Sequence, residues 1–246
     1  MKNIFRKSKP QPSPRVSDGT LIYAIGDIHG RLDRLEAIYE AIDGDPLRHD
    51  FDQVFEIYLG DYVDRGPHSM GVIDSLLQRL RERTVIALKG NHESLFQDAL
   101  IDQGAASAWR QFGGIETMTS YGVRVRLPIT YTVFEQFHRE WIAAVPRSHR
   151  TFMESLPFSV SDGGYFFCHA GVRPGIALNR QIEADLLWIR DEFLESKRWH
   201  GARIVHGHTP VETPEIKPNR INLDTGAYMT GRLTCLRLHG NAADII

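Results

Sequence analysis

The sequence predicts an α/β fold in which helices cover a β-sheet, and three observations support this prediction. Short apolar runs rich in β-branched and aromatic residues alternate with segments whose apolar residues recur at helical spacing. Glycine or aspartate bounds most of the short runs, as is typical of strand ends. The chain has 246 residues, of which 42% are hydrophobic, so it is long enough to bury a sizeable core.

Seven of the apolar runs are predicted to be strands, and three amphipathic segments are predicted to be helices. The first helix is expected to end near Gly44 and the third before Pro146. Their alternation implies βαβ units. Residues 94–160 are predicted to form a mostly helical insertion over one end of the sheet. The strands are residues 21–25, 54–59, 84–88, 165–168, 203–205, 220–223 and 233–238, and the helices are residues 32–42, 72–80 and 133–141.

The first 18 residues differ in composition from the rest and are predicted to be a disordered basic tail. Three prolines and three serines leave residues 1–18 with few apolar side chains, and residues 1–17 carry basic groups but no acidic one. The whole chain has a net charge of −2, so residues 19–246, predicted to be a single domain, are acidic. An acidic domain argues against nucleic-acid binding, which depends on neutralising phosphates.

The sequence also indicates the cellular compartment in which the protein is expected. No apolar run approaches the roughly 18 residues of a membrane-spanning helix, and the N-terminus lacks the apolar segment of a secretory signal. Cys168 and Cys235 are the only cysteines, too few for a disulfide framework or a cysteine-rich zinc site. We therefore expect a cytoplasmic protein without a membrane span.

Five of the predicted strands end in polar motifs that contain glycine, aspartate, asparagine or histidine. In an open α/β sheet, ligands bind beyond the carboxyl ends of the strands, where neighbouring loops converge. We therefore expect all five motifs to line one cleft, although they are far apart in the sequence. The motifs are GDIHG (26–30), GDYVDRG (60–66), GNHE (90–93), CHAG (168–171) and HGHT (206–209).

The residue types in these motifs indicate a metal site. Carboxylate, imidazole and amide donors without thiolate favour manganese, iron or zinc. Asp27 and His29 are two residues apart, so an extended backbone places both side chains on one face. A single histidine is more often a core or surface residue, but His29, His169 and His208 each follow a strand. The donors exceed what one ion needs, which predicts two ions bridged by one carboxylate.

The order and spacing of the motifs resemble the signature of the metallophosphoesterases, in particular the PPP-type serine/threonine protein phosphatases of the bacterial and phage branch. The resemblance covers about residues 20–238, and residues 109–114, 120–122 and 186–190 are similar to the compact bacterial and phage enzymes. It implies a central β-sandwich flanked by helices, in four layers of the order αββα. It also implies two bound divalent metal ions, with manganese as the first choice and iron or zinc as alternatives.

The resemblance further implies which residues hold the metals. One residue would bridge both ions, and a water between the ions would become a hydroxide nucleophile at neutral pH. By motif, Asp27 and His29 would hold the first ion, Asp61 would bridge, and Asn91, His169 and His208 would hold the second.

Four more residues are implied to be catalytic. Arg65 and Arg190 would bind the phosphoryl oxygens, because a planar guanidinium fits two oxygens at once. His92 would protonate the leaving oxygen, and Asp64 would fix its ring orientation. Arg190 rests on the bacterial resemblance alone, with a surface ion pair as its alternative role. Whether His206 and Arg31 contribute to the site is left open by the sequence.

The function implied is a metal-dependent phosphomonoester hydrolase, specifically a serine/threonine protein phosphatase acting on a phosphorylated protein or a small phosphoester. One alternative is a symmetrical bis(5'-nucleosyl)-tetraphosphatase, which shares every metal motif but needs aromatic partners for adenine. A non-catalytic binding module is a third reading, although no expected ligand is missing. The sequence leaves the oligomeric state and the role of the tail open. The aromatic candidates for adenine are Trp109, Phe112, Tyr121 and Tyr131.

Overall fold

The computed structural model of the chain describes residues 13–124 and 131–246, which form ten strands and ten α-helices. The strands are β1 (Thr20–Ile25), β2 (Gln53–Tyr58), β3 (Val85–Ala87), β4 (Ser159–Asp162), β5 (Tyr165–Cys168), β6 (Arg203–His206), β7 (Glu215–Ile216), β8 (Arg220–Asn222), β9 (Cys235–His239) and β10 (Ala242–Ile245). The helices are α1 (Leu32–Asp43), α2 (Ser69–Glu82), α3 (Asn91–Ile101), α4 (Gln103–Trp109), α5 (Gly114–Ser120), α6 (Tyr131–Ala144), α7 (Arg147–Ser155), α8 (Glu183–Trp188), α9 (Asp191–Leu194) and α10 (Ala227–Thr230).

The strands form two mixed sheets of five strands each. The first has the order β10-β9-β1-β2-β3 and the second β4-β5-β6-β8-β7. In the first sheet β1, β2 and β3 run parallel, and in the second β5, β6 and β8 do so. The carboxyl ends of three parallel strands therefore meet at one edge of each sheet.

The two sheets pack face to face and helices cover both outer faces. Alternate residues of β1 divide between two cores, because neighbouring side chains of a strand point to opposite faces. Ile22 packs with Phe167 and Val205 of the second sheet, whereas Leu21 and Tyr23 pack in the core shared with the helices. A third core joins the second sheet to α8 and α9. This arrangement confirms the predicted four-layer β-sandwich.

All seven predicted strands are present, each within about two residues of its predicted bounds. The three strands that the sequence analysis missed, β4, β7 and β10, are all at sheet edges. Edge strands are short and tolerate polar side chains, so they lack the apolar run that marks a central strand. The α-helices described between β3 and β4 are α3 to α7. None of the described helices is both long and apolar enough to cross a membrane.

Part of the predicted tail is fixed to the folded domain. Val16 is 2% exposed within the inter-sheet core, and its N–H donates to the carbonyl of Gly240 at 3.1 Å. The N–H of Gly164 donates to the carbonyl of Arg15 at 2.7 Å, so the chain lies along the β4–β5 turn. The prediction of a tail up to residue 18 is therefore wrong at its C-terminal end. Residues 1–12 lie outside the described residues.

A buried ion pair joins α2 to the first sheet. Arg79, 5% exposed, donates from Nε to Oε2 of Glu56 at 2.9 Å and from Nη1 to Oδ2 of Asp43 at 2.7 Å. Glu56 is 1% exposed and also accepts from the hydroxyl of Tyr58 at 2.7 Å. The guanidinium therefore compensates a carboxylate that water does not reach.

Arg79→Met should lower the free energy of unfolding by about 3–5 kcal/mol, because it leaves the Glu56 carboxylate buried without its main partner. Arg83→Met is the matched control, since Arg83 also contacts Asp43 but is 38% exposed. It should cost no more than about 1 kcal/mol. Urea unfolding at neutral pH measures both variants, and equal losses would contradict the assigned role of Arg79.

Candidate metal centre

The polar residues that follow the parallel strands of both sheets meet at one cleft. Backbone hydrogen bonds link neighbouring loops, with the N–H of His29 donating to the carbonyl of Asp61 and that of Gly207 to the carbonyl of His169, both at 2.8 Å. The two sheets are joined where the N–H of His208 donates to Oδ2 of Asp27 at 3.0 Å. The motifs therefore converge as the sequence predicted.

Backbone strain is concentrated at this cleft. Among the described residues, those other than glycine with positive φ have values from 45° to 73°. Side chains disfavour this left-handed region, and it persists only where the surrounding structure holds it in place. All of these residues belong to the site: His29, Asp61, Asp64, Arg65 and His208.

One group of possible metal donors lies around Oδ1 of Asp61. Nε2 of His169 lies 3.3 Å from Oδ1 of Asp61 and 2.8 Å from Oδ1 of Asn91. Nδ1 of His208 lies 2.9 Å from the same Asn91 oxygen and 3.1 Å from Nε2 of His169. Donors bound about 2.1 Å from one ion at right angles lie about 3 Å apart. These four residues therefore fit one divalent cation.

A second group of possible metal donors lies around Oδ2 of Asp61. Nε2 of His29 is 3.4 Å from Oδ2 of Asp61. Oδ1 of Asp27 is buried and has no hydrogen-bond partner among the described residues. A buried carboxylate oxygen without a partner is costly, and a cation would satisfy it. Asp27, His29 and Asp61 therefore fit a second cation, with Asp61 shared by both groups.

Hydrogen bonds to carbonyls fix the histidine tautomers in the form that binds metals. Nδ1 of His29 lies 2.8 Å from the carbonyl oxygen of Val63, and Nδ1 of His169 lies 2.9 Å from that of Leu59. Donation from Nδ1 leaves the lone pair of Nε2 pointing at the donor groups. Burial lowers the pKa of His29 to about 3 and also lowers the pKa of His169. Neutral imidazoles are the ligating form.

Two carboxylates near the donor groups, those of Asp27 and Asp224, carry charge that the neighbouring protein groups do not balance. Asp27, Asp61 and Asp224 are each 2% exposed. Burial, followed by the charges of Asp224 and Asp61, raises the pKa of Asp27, and burial is the main cause that raises the pKa of Asp224 to about 6. Bound cations would reverse both shifts, because they favour the charged carboxylates.

Asp224 was missed by the sequence analysis. It lies two residues after the end of β8, in the sequence Asp224-Thr225-Gly226, just as Asp27 lies two residues after the end of β1. Its carboxylate accepts from the N–H of Gly226 at 2.9 Å. The rule that placed the other motifs, a polar residue and a glycine at a strand end, could have found it.

His92, Asp64 and Arg65 form a connected set beside the donors. Nδ1 of His92 lies 2.6 Å from Oδ2 of the buried Asp64. Arg65 places Nη2 3.1 Å from Nε2 of His92 and Nη1 2.9 Å from Nε2 of His29. Burial alone would lower the pKa of His92, but the charge of Asp61 and the bond to Asp64 raise it. His92 is therefore the histidine of the cleft that most readily carries a proton.

The comparisons with known proteins agree with this geometry. The profile of the calcineurin-like phosphoesterases, Metallophos, matches residues 20–246. The chain belongs to the calcineurin-like phosphoesterases. A relative from Anoxybacillus flavithermus, named the asymmetrical bis(5'-nucleosyl)-tetraphosphatase PrpE, is 26% identical over 235 residues, which cover 87% of this chain and 88% of the relative.

Solved structures support the fold of this phosphoesterase. One, described provisionally as a diadenosine tetraphosphatase, aligns with a TM-score of 0.60 and 20% identity, covering 97% of this chain and 95% of its own. A serine/threonine phosphatase from Saccharomyces cerevisiae aligns with a TM-score of 0.53 and 16% identity, covering 89% and 72%. At these identities, the likeness shows the fold alone.

The phosphoesterase family uses a dinuclear metal site, and the two donor groups described above can hold metals. The ligand atoms of Asp61, His169 and His208 lie within 4.8 Å of one another, and so do those of His29, Asp61 and His92. His92 is near enough to His29 and Asp61 to count in the second group. The hydrogen bond of its Nδ1 to Asp64 leaves only Nε2 facing the cleft.

Three residues that the sequence analysis discussed lie at the margin of the site. Arg190 is exposed just after α8, and its charge adds to burial in lowering the pKa of His169. Nε2 of His206 lies 3.3 Å from Nη1 of Arg220, and its ring packs edge-on against Phe193. Arg31 donates to the carbonyl of Ala227 at 2.8 Å and also pairs with an aspartate on α1.

Of the aromatic residues that the sequence suggested for stacking on adenine, those whose side chains the structure describes do not gather at the cleft. Trp109 and Tyr121 are buried in the helical core, so they cannot stack on a ligand, whereas Phe112 is 49% exposed. The side chain of Tyr131 lies outside the described residues. Two aromatics that the sequence analysis did not single out are at the site instead. The Arg65 guanidinium lies 4.8 Å from the ring of Tyr228, and Trp188, 44% exposed, meets His208 at 6.1 Å.

Asp61→Asn should weaken both metal sites together, because the shared carboxylate would lose its charge. Metal analysis of the purified variant measures the loss directly. Asp50→Asn is the control, since Asp50 is exposed near the amino end of β2 and its loss changes the net charge equally. A folded Asp61→Asn protein that still holds two tightly bound ions would show that Asp61 does not bridge.

Proposed function

We propose that this phosphoesterase is a two-metal phosphomonoester hydrolase that acts on phosphoserine or phosphothreonine. The observation that carries the proposal is the pairing of His92 with Asp64, 2.6 Å apart, beside the two donor groups. A protonated imidazole at this place is useful where the leaving oxygen needs a proton. The alkoxide that leaves from phosphoserine is strongly basic and meets that condition.

The metal residues would act in two sets. Asp27, His29 and Asp61 would hold one ion, and Asp61 together with Asn91, His169 and His208 would hold the other. When bound, such ions supply an activated water and stabilise the charge of the phosphoryl group.

Arg65 would bind the phosphoryl group. Its two terminal nitrogens lie at hydrogen-bond distance from His29 and His92, so the guanidinium lies between the first metal site and the acid. Nε2 of His29 can no longer accept once it binds a metal, nor can Nε2 of His92 once it is protonated, so the guanidinium N–H groups would donate to phosphoryl oxygens instead. The exposed Arg190 would bind the same oxygens from the side of His208.

His92 would give its proton from Nε2 to the leaving oxygen. Asp64 holds Nδ1 and stabilises the imidazolium that must be present before the transfer. After the transfer, a neutral imidazole remains hydrogen-bonded to Asp64 through Nδ1–H. Phosphoryl transfer itself depends mainly on positioning and charge stabilisation, which the metals and arginines would provide.

Hydrolysis of a dinucleoside tetraphosphate is the second candidate, favoured by the name of the relative from Anoxybacillus flavithermus. That relative is named asymmetrical, whereas the sequence analysis considered the symmetrical class. A leaving nucleotide phosphate is much less basic than an alkoxide and needs little help from an acid. The two candidates therefore differ in how strongly the reaction should depend on His92.

His92→Asn should slow hydrolysis of a phosphoserine peptide by about 10²–10⁴-fold, the typical contribution of general acid catalysis. The loss on p-nitrophenyl phosphate should be much smaller, because p-nitrophenolate leaves without a proton. Steady-state kinetics with Mn²⁺ measures both, and metal analysis should find unchanged content. Equal losses on both substrates would instead assign His92 to phosphoryl positioning, and a lost metal would make it a ligand.

Wild-type kinetics on the same panel separates the two candidate substrates. Protein phosphatase activity predicts a higher kcat/KM for the phosphoserine peptide than for diadenosine tetraphosphate. The reverse order would support the second candidate. Absence of turnover on every substrate would support a non-catalytic binding module.

A further inference from the structure

The carboxylate of Asp64 is fully buried and is held by more than His92. Its Oδ2 accepts from the indole Nε1–H of Trp109 at 2.7 Å as well as from His92. Its Oδ1 accepts from the hydroxyl of Thr117 at 2.7 Å, and its backbone N–H donates to the same hydroxyl oxygen at 2.8 Å. Donors from three directions leave this carboxylate no freedom to turn.

Both additional donors belong to the helical segment between β3 and β4. Trp109 ends α4 and Thr117 lies in α5, so they reach Asp64 across about fifty positions of sequence. Trp109 is 0% exposed and packs against Phe96 and Trp141, with ring centroids 5.9 and 5.2 Å apart. A β-carbon at Gly114 would overlap the indole, so the backbone of α5 is pressed against this ring.

We propose that Trp109 and Thr117 are positioning residues of the reaction, which fix His92 through Asp64. This inference rests on the proposed role of His92 as the acid. With His92 as its only partner, the carboxylate could rotate about its Cβ–Cγ bond and the imidazole would rotate with it. The two extra donors hold the carboxylate plane, so Nε2 stays aimed at the cleft beside Arg65.

A purely structural role makes a different prediction. If Trp109 only filled the core, its loss would lower the folded fraction or the metal content, and all substrates would suffer equally. A residue that orients the acid affects only the reaction that needs the proton. The ratio of the losses on the two substrates therefore distinguishes these roles.

Trp109→Phe removes the Nε1–H but keeps an aromatic ring in the core. We expect kcat on the phosphoserine peptide to fall about tenfold, as for loss of one hydrogen bond to a charged group. KM should stay within about twofold, and kcat on p-nitrophenyl phosphate should change less than about threefold. Trp141→Phe is the matched control, because the Nε1 of Trp141 is buried without a partner among the described residues. It should change neither rate.

The second donor gives an independent test if Trp109→Phe folds poorly. Thr117→Val removes the hydroxyl at nearly constant volume and should reproduce the selective loss on the phosphoserine peptide. Thr117→Ser restores the hydroxyl and should recover most of the activity. Circular dichroism and metal analysis of each variant verify folding and metal content.

The results separate this inference from the proposed function. If His92→Asn shows no dependence on the leaving group, the proposed acid itself is wrong. The outcome differs if His92→Asn slows the phosphoserine reaction selectively. Trp109→Phe and Thr117→Val would then overturn only the positioning role if they slowed both reactions equally or slowed neither reaction. A selective loss in both variants, absent from Trp141→Phe and reversed in Thr117→Ser, would support it.

Discussion

Buried negative charge is the constraint on which the rest of this structure depends. Asp27, Asp61 and Asp224 lie almost out of reach of water where parallel strands of two sheets end. Burial lowers the pKa values of the neighbouring His29 and His169, and the pKa values of Asp27 and Asp224 are raised, so the charges of these two carboxylates are not balanced within the protein. Carboxylates in such surroundings are costly unless cations compensate them. The donor groups around Asp61 could bind two cations, which would link the sandwich fold to phosphoesterase chemistry.

The backbone around Asp61 is fixed to meet this constraint. Glu93, itself buried, accepts from the N–H groups of Asp61 at 2.7 Å and of Tyr62 at 2.8 Å, which supports the left-handed turn after β2. A β-carbon at Gly90 would overlap the Asp61 carboxylate, and one at Gly207 would overlap that of Asp27. Glycine is required there because neighbouring loops approach the carboxylates closely. The left-handed turn at Asp61 and the close approach of the two glycines therefore both fix the positions of the carboxylate oxygens.

The sequence predicted seven of the ten strands and all six proposed metal residues, because the donors sit in local patterns just after five of these strands. Asp224 obeys the same pattern and was overlooked. The edge strands β4, β7 and β10 and the contact of Val16 with the sandwich depend on tertiary packing, and their polar or isolated residues carry no periodic signal. Trp109 looks like an ordinary core aromatic in sequence. Its bond to Asp64, 45 residues away, becomes visible only in three dimensions.

Anomalous diffraction from crystals of the wild-type protein grown with Mn²⁺ can decide whether Asp61 bridges two ions, because it locates each ion without reference to activity. We expect two anomalous peaks with the Asp61 carboxylate between them. One should be ligated by Asp27 and His29, and the other by Asn91, His169 and His208. A single peak, or a pair of peaks that Asp61 does not bridge, would contradict a dinuclear centre built on this shared carboxylate.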